Sequence, residues 1–464
     1  MLALVYIKVI QAQYISEVLE YKPAPGQLIN ASPWGIPGSA KSIVGTVSGS
    51  MSLGAFGGYV IFTFKDPVVN HPDNPFGVDF TIFGNSLNDW FEPGIVSVMK
   101  DENGNGLPDD TWYELAGSEY FFSTTVKNYQ VTYTNPGLTV AADVEWTDNL
   151  GASGFVLKNS FHSQPYYPSP DSFPAINPAQ YTLTGTRIAS ELDRTNPAFI
   201  KSYRKAFGYA DNQWRGSAPY TIPDNPYTPE MENSGGDAFD ISWAVNEYGA
   251  YVDLDVIHFV KVHNAVLANT GWLGELSTEI TGAVDVAPDN SITGIDDILV
   301  LKHLPDTIIG NTCQIEVFAF DKGRRDKDAV INWSVNLSHA NINAQNLLTF
   351  SSSGKLIITA YLAKNSAITA TDSAVLIYQD NSTSLNQNRW KEIRVHPNPA
   401  SESIYIEGLD NAAIRIFDIT GKIMLVHEKY SGNEAVPVSH LPKGVYIVIL
   451  SGKTESKTMR LIKN

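Results

Sequence analysis

Short runs of alternating apolar and polar residues, each closed off by glycine, proline or asparagine, recur along almost the whole chain. A period of two sends successive side chains to opposite faces, so such runs read as half-buried β-strands. The clearest cover residues 57–64, 78–85, 94–99, 111–115, 129–133, 239–245 and 256–262. Long stretches of Ala, Leu, Glu and Lys are missing, while 35 glycines, 26 prolines and 22 tyrosines are present. That mixture predicts an all-β fold with long ordered loops. At 464 residues, more than one hydrophobic core is expected.

Punctuation along the chain divides it into segments. Residues 14–286 read as one large jelly-roll β-sandwich with a binding role. Residues 287–380 read as an Ig-like β domain, with strands expected over 315–320, 330–335 and 354–361. Thr293 as a cap and Asp296-Asp297 in the first turn predict a short helix over 295–304. Residues 381–391 are polar and irregular, as a linker is. From 392 to 464 a small all-β module follows, in which Ile404, Ile406, Ile414 and Ile416 alternate with polar residues and Thr420-Gly421-Lys422 makes a turn.

The chain carries a formal charge of −17, which argues against a nucleic-acid partner, because phosphate binding needs a basic face. From Glu392 onward the acidic and basic residues nearly balance, so the acidity belongs to the segments before the tail. One cysteine, Cys313, excludes an intramolecular disulfide and reads as a buried, inert thiol. Residues 1–13 resemble the rear half of a signal peptide, with cleavage near Ala12 or Gln13, although Lys8 interrupts the apolar run. The alternative is a first strand of the mature fold. No run reaches the roughly twenty apolar residues that span a bilayer as a helix.

The tail holds Pro397-Asn398-Pro399, then Leu441-Pro442-Lys443-Gly444-Val445-Tyr446, then a basic run containing Lys457, Arg460 and Lys463. These blocks, in this order, resemble the sorting domain of the bacterial type IX secretion system. The resemblance implies passage through the periplasm, export across the outer membrane by that machinery, and release or anchoring at the cell surface. It says nothing about the cargo.

Further upstream, residues 80–85, 112–115 and 257–262 resemble the strand sequence of galactose-binding-like jelly rolls. Ser52-Leu53-Gly54, Glu92-Pro93-Gly94-Ile95-Val96 and Trp112-Tyr113-Glu114-Leu115-Ala116-Gly117-Ser118 resemble an uncharacterised family of Bacteroidota cell-surface proteins. That likeness implies an outer-membrane uptake setting, with cobalamin and an outer-membrane receptor in view.

The sharpest chemical motif is Asp101-Glu102-Asn103-Gly104-Asn105-Gly106-Leu107-Pro108-Asp109-Asp110. Oxygen-bearing side chains at positions 1, 3 and 5 with glycine at 6 match the first half of an EF-hand loop, where a tight turn gathers them around one cation. Asp101, Asn103, Asn105, the Leu107 carbonyl, Asp109 and Asp110 are the expected calcium ligands. Trp112 stands where the bidentate glutamate belongs, and strand-like flanks exclude helix–loop–helix geometry. A polar hairpin capped by its own Asx side chains is the other reading. Asp237 and Asp240 form a second acidic group, expected on a solvent face or as a loop cap.

Seven residues with rings in or beside loops are candidate ligand contacts: Trp90, Phe161, His162, Tyr166, Tyr167, Trp214 and Trp272. Exposed rings stack on sugars and other flat ligands; each ring by itself equally well covers a sandwich end. Trp112, Trp146, Trp243 and Trp333 lie in strand patterns and are expected in cores. Nucleophile-elbow, zinc-protease and phosphate-loop motifs are missing, whereas carboxylate pairs of glycosidase type are invisible in sequence. The leading expectation is a secreted, non-catalytic surface protein that binds a glycan or small nutrient and carries calcium. A glycan-active hydrolase with a dispersed site, a structural adhesin and an accessory of cobalamin uptake are the alternatives.

Overall fold

The structure is a computed structural model describing residues 13–304, 307–352, 354–364, 367–379, 393–408, 412–418, 422–432, 434–451 and 456–464. The expected signal segment (save Gln13), the linker over 381–391 and Thr420-Gly421 of the predicted turn lie outside the described residues. The protein is all-β, with 44% strand and 3% helix, built as β-sandwiches. It divides into two compact units. One comprises 1–306, 312–349 and 355–377; the other comprises 307–311, 350–354 and 378–464.

The first unit is organised around a six-stranded antiparallel sheet. In spatial order its strands are Ile15–Lys22, Tyr59–Val69, Val256–Asn264, Gly94–Met99, Trp112–Leu115 and Ala244–Val245. A second sheet of Asp237–Phe239, Phe80–Phe83 and Gly282–Asp285 contributes to the same core. Phe80–Phe83 is buried at all four positions because it is central in its sheet and covered on both sides. Phe62, Val96, Val98, Val260 and Val262 pack in one cluster with Phe80, Ile82, Phe239 and Ala283. Each such side chain contributes roughly 1.5–3 kcal/mol by leaving water. Phe80 and Phe239 stack with centroids 5.4 Å apart.

A four-stranded sheet, Gln180–Arg187, Val126–Thr134, Val144–Asp148 and Ser153–Val156, builds a second core rich in tyrosine. Two of its buried hydroxyls have carbonyl acceptors: Tyr133 Oη donates to Phe56 O at 2.8 Å and Tyr181 Oη to Pro23 O at 2.7 Å. That pairing removes the cost of burying a phenol.

Residues 295–304 do not form the expected helix. Asp297–Leu301 is a strand, paired antiparallel with Val317–Asp321, which in turn pairs with Arg324–Asp326. The run Ile298-Leu299-Val300-Leu301 buries Leu299 and Val300 against a neighbouring strand, and that packing overrides a weak local cap signal. These strands share the core of the first sandwich: Val300 and Phe320 belong to its main cluster, and Phe207 meets Phe320 at 5.1 Å. Trp243 Nε1 donates to Lys322 O at 3.0 Å. Ile331–Val335 pairs with Gly354–Lys364 and adds Ala360 and Leu362 to a satellite cluster with Leu299 and Val317.

Of the four tryptophans expected in cores, only Trp243 is fully buried; Trp112, Trp146 and Trp333 are half-buried because their strands have one wet face. Cys313 is half-buried rather than enclosed, in the strand Thr312–Gln314. Asp237 and Asp240 are buried, not solvated. Asp237 accepts from Asn212 N at 2.9 Å, and Asp240 caps a short turn by accepting from Ser242 N at 2.7 Å.

The second unit has a sheet of Arg394–His396, Ser403–Glu407 and Val436–Pro437. A second sheet orders Ile423–Tyr430, Ala412–Asp418, Gly444–Ser451 and Ser456–Lys463. Ile404, Ile406, Ile414 and Ile416 all point into one core with Tyr446, Val448, Leu450 and Leu461, as their alternation requires.

Candidate functional site

Where the strand Phe80–Phe83 ends, the chain turns outward through Gly84-Asn85-Ser86-Leu87-Asn88 and walls a cleft of about 520 Å³. Trp34, Ser48, Gly49, Trp214, Arg215 and Thr281 complete the lining. Each wall is pinned by backbone bonds. Trp34 O accepts from Ser52 N at 2.9 Å, and Trp214 O accepts from Gly236 N at 2.7 Å. Gly235 and Gly236 adopt φ of +69° and +77°, which lets that segment pass close beneath Trp214. Arg215 Nη1 donates to Val47 O and, at 3.3 Å, to Ser48 Oγ. Trp214 is 40% exposed, so its ring is available to solvent.

Under the cleft floor lies Asp211, fully buried. Its Oδ1 accepts from Asn85 N and Ser86 N, both at 3.0 Å, and from Ser86 Oγ at 2.8 Å; its Oδ2 accepts from Glu279 N at 2.8 Å. One carboxylate therefore dictates the path of the floor loop. Burial pushes the Asp211 carboxyl up to about 6, although these donors pull it back down. Glu92, Asp211 and Glu279 bring carboxylate oxygens within 4.8 Å of one another. Burial, then the Asp211 charge, raises Glu279 to about 8, and burial with Glu279 and Asp211 raises Glu92. Glu92 Oε1 accepts from Ser277 N at 2.7 Å, while Glu279 Oε1 has no partner among the described residues. Such a group either retains protons or suits a divalent cation with oxygen ligands.

The loop 101–110 connects Gly94–Met99 to Trp112–Leu115 and is exposed. Asp101 Oδ1 accepts from Gly104 N at 2.8 Å and its Oδ2 from Gly106 N at 2.9 Å. Asn103 Oδ1 accepts from Asn105 N at 3.0 Å, and Asn105 Oδ1 from Leu107 N at 2.7 Å. The amides of Asn103 and Asn105 both donate to Asp109, at 3.2 Å and 3.1 Å. Asn103 also reaches Asp110 at 3.3 Å. Gly104 and Gly106 have φ of +71° and +73°, the conformation the tight turn needs. The oxygens of Asp101, Asn103 and Asn105 thus accept from backbone N–H groups of the loop itself, and the amides of Asn103 and Asn105 turn to Asp109, so the loop is a polar turn capped by its own Asx side chains.

The seven candidate ring contacts separate in space. Trp214 lines the cleft. Trp90 is half-buried, edge-on to Phe199 at 6.3 Å, and closes the floor loop through Leu87. Phe161 and Trp272, 66% and 50% exposed, meet edge-on at 5.8 Å, with Trp272 Nε1 donating to Ala198 O. His162 lies next to this pair in the chain, half-buried, with its imidazole shifted down by burial. Tyr166 and Tyr167 are not exposed: at 1% and 3% they belong to the tyrosine core. Tyr166 Oη accepts from Asn159 N, and Tyr167 Oη donates to Asn177 O. Proline-rich surroundings disguised them as loop-surface rings. Trp34 and Arg215 are cleft residues that sequence reasoning missed; the Pro33-Trp34-Gly35 turn was the available signal for the first.

In the second unit the three tail motifs meet. Asn398 Nδ2 donates to Arg460 O at 2.7 Å, and its Oδ1 accepts from Ile462 N at 2.8 Å. Ala400 N donates to Ile462 O, so the Pro397–Pro399 block is tied to the last strand. That strand pairs with Gly444–Ser451, setting Gly444 opposite Lys463 and Tyr446 opposite Leu461. Tyr446 Oη donates to Pro442 O at 2.7 Å, and Lys457 Nζ to Ile393 O at 3.3 Å.

The fold and these motifs define a class: a multidomain β-sandwich protein ending in an export module. Residues 394–464 match the family described as the secretion system C-terminal sorting domain. This is the type IX sorting domain, and it directs the protein to the cell surface or the extracellular space. No helix among the described residues is long and apolar enough to cross a membrane. No curated protein matches the chain. Among solved structures, extracellular domains 3–5 of Drosophila OTK are 9% identical, cover 46% of this chain and 82% of that one, and give a TM-score of 0.21. The Escherichia coli adhesin FdeC is 10% identical, covering 41% and 78%, with a TM-score of 0.16. The S-layer protein rSbsC(31-844) is 9% identical, covering 88% and 53%, at 0.17. Likenesses this weak carry no functional inference.

Proposed function

We propose that this exported protein is a non-catalytic saccharide-binding protein of the cell surface, with its ligand seated in the Trp34–Trp214 cleft. The observation that carries this reading is the cleft's make-up: two indoles, two exposed asparagines, two serines, a threonine and an arginine around about 520 Å³. Indole faces stack on the apolar faces of pyranose rings, while amides and hydroxyls match sugar hydroxyls. Most glycosidases hydrolyse the glycosidic bond with two carboxyl groups flanking it. None lines the cleft among the described residues, and Asp211 beneath its floor is occupied by four donors. Calcium in the loop 101–110 is a structural element of the same reading, holding the turn between two strands of the main sheet. Glycan-array and corrinoid titrations of the whole chain and of Trp214→Ala test it. Saturable saccharide binding without turnover, lost in the variant, is expected. Corrinoid binding alone, turnover, or saccharide binding indifferent to Trp214 would overturn it.

A further inference from the structure

We infer that the cleft selects a saccharide carrying a carboxylate, a uronic-acid unit, and that Arg215 is the residue that reads its charge. The inference rests on the cleft being a saccharide site and goes on to name which kind.

Arg215 is exposed on the cleft wall, and its guanidinium is half used. Nη1 is committed to Val47 O and Ser48 Oγ, which holds the planar group in place. Nε and Nη2 have no partner among the described residues, and no carboxylate lies in ion-pair range of this arginine. Two lysines earlier in the same segment differ in this: Lys201 bonds Asp89 at 2.8 Å and Lys205 bonds Glu191 at 2.7 Å. The acid in the cleft floor that might have answered Arg215, Asp211, is turned inward onto Asn85, Ser86 and Glu279.

An arginine fork tethered on one side presents two parallel N–H groups on the other, the geometry that pairs with the two coplanar oxygens of a carboxylate. Asn85, Asn88 and Ser48 are uncharged and suit hydroxyls, so the ligand's charge is read at one point. Long-range attraction has no part in this: the chain's net charge of −17 repels anions, and only a contact inside the roughly 8 Å screening length favours one.

Calorimetry of the full chain with galacturonic-acid oligosaccharides and their carboxyl-reduced galactose counterparts tests the inference, using wild type, Arg215→Gln and Arg215→Lys. Wild type should prefer the acidic ligand by about tenfold or more, the worth of a charge-assisted bidentate contact. Arg215→Gln should bind both ligands alike, at the neutral ligand's affinity. Arg215→Lys, which keeps the charge without the fork, should keep only part of the preference and serves as the readout if the glutamine variant does not fold. Equal affinity of wild type for both ligands, or a preference that survives in Arg215→Gln, overturns the inference and leaves the saccharide reading standing. Tighter binding of a sulfated analogue than of the carboxylated one overturns the carboxylate assignment. Failure to bind any saccharide removes the underlying reading, and the inference with it.

Discussion

Gly84→Ala tests whether the cleft floor depends on Asp211. A Cβ at position 84 would stand 2.1 Å from Asp211 Oδ1, 2.7 Å from its Cγ and 2.9 Å from its Cα. Ordinary contact begins at 3.4 Å, so floor and carboxylate must separate by about 1.3 Å. The backbone of Asp211 is among the clashing atoms, so no rotamer change relieves the overlap. A shift of that size breaks bonds now at 3.0 Å from Asn85 N and Ser86 N. Bonds to a charged acceptor contribute about 1.5–3 kcal/mol each, and losing two gives a destabilisation on the order of 3–6 kcal/mol. Urea unfolding followed by tryptophan fluorescence measures this, and saccharide titration of the folded variant should show weakened binding as Asn85 and Ser86 move. Gly38→Ala is the control, since its Cβ would meet Ile36 Cδ1 at a comfortable 3.6 Å. Wild-type stability and binding in Gly84→Ala would refute the link between Asp211 and the cleft.

Other outcomes follow from the same contacts. Burial raises Glu275 to about 8, so below its unfolded value of 4.5 the group costs nothing. Its contribution is then lost as pH climbs through 8, a penalty of up to about 5 kcal/mol. Glu275→Gln should therefore flatten the fall in urea midpoint between pH 5 and pH 8, and an unchanged pH profile counts against the assignment. Chelation should lower the melting temperature, with calcium at a hundredfold excess over its dissociation constant worth about 2.7 kcal/mol. Asp101→Ala should abolish that calcium-dependent shift, and a shift that persists in the variant places the ion elsewhere. Deleting residues 394–464 should leave the protein in the periplasm with saccharide binding intact, as cell fractionation and titration would report; surface display of the truncated chain would contradict the role of the tail.

Local spacing made much of this protein legible before any coordinates. Short apolar-rich runs closed by glycine, proline or polar residues imply strands, which is why 94–99 and 256–262 fall within observed strands and 57–64 overlaps the strand Tyr59–Val69. The Asx positions of the loop 101–110 act on amides two to five residues ahead, so their geometry follows from spacing alone. The tail motifs are likewise separated in sequence but belong to one small module, whose identity their order disclosed.

Tertiary structure decided the rest. Strand or helix at 297–301 depended on whether Val317–Asp321 was available as a neighbour, a fact no local window contains. Tyr166 and Tyr167 look the same in sequence as the exposed Phe161, and only the sheet that covers them separates core from surface. The cleft comes from four distant segments, around Trp34, Ser48, Asn85 and Trp214, with Thr281 beside them. Its floor is shaped by a buried carboxylate whose donors come from residues far away in the chain. Strand periodicity is a short-range property carried by neighbouring residues, whereas a binding site is a long-range one, created when loops from different strands converge at one end of a sandwich.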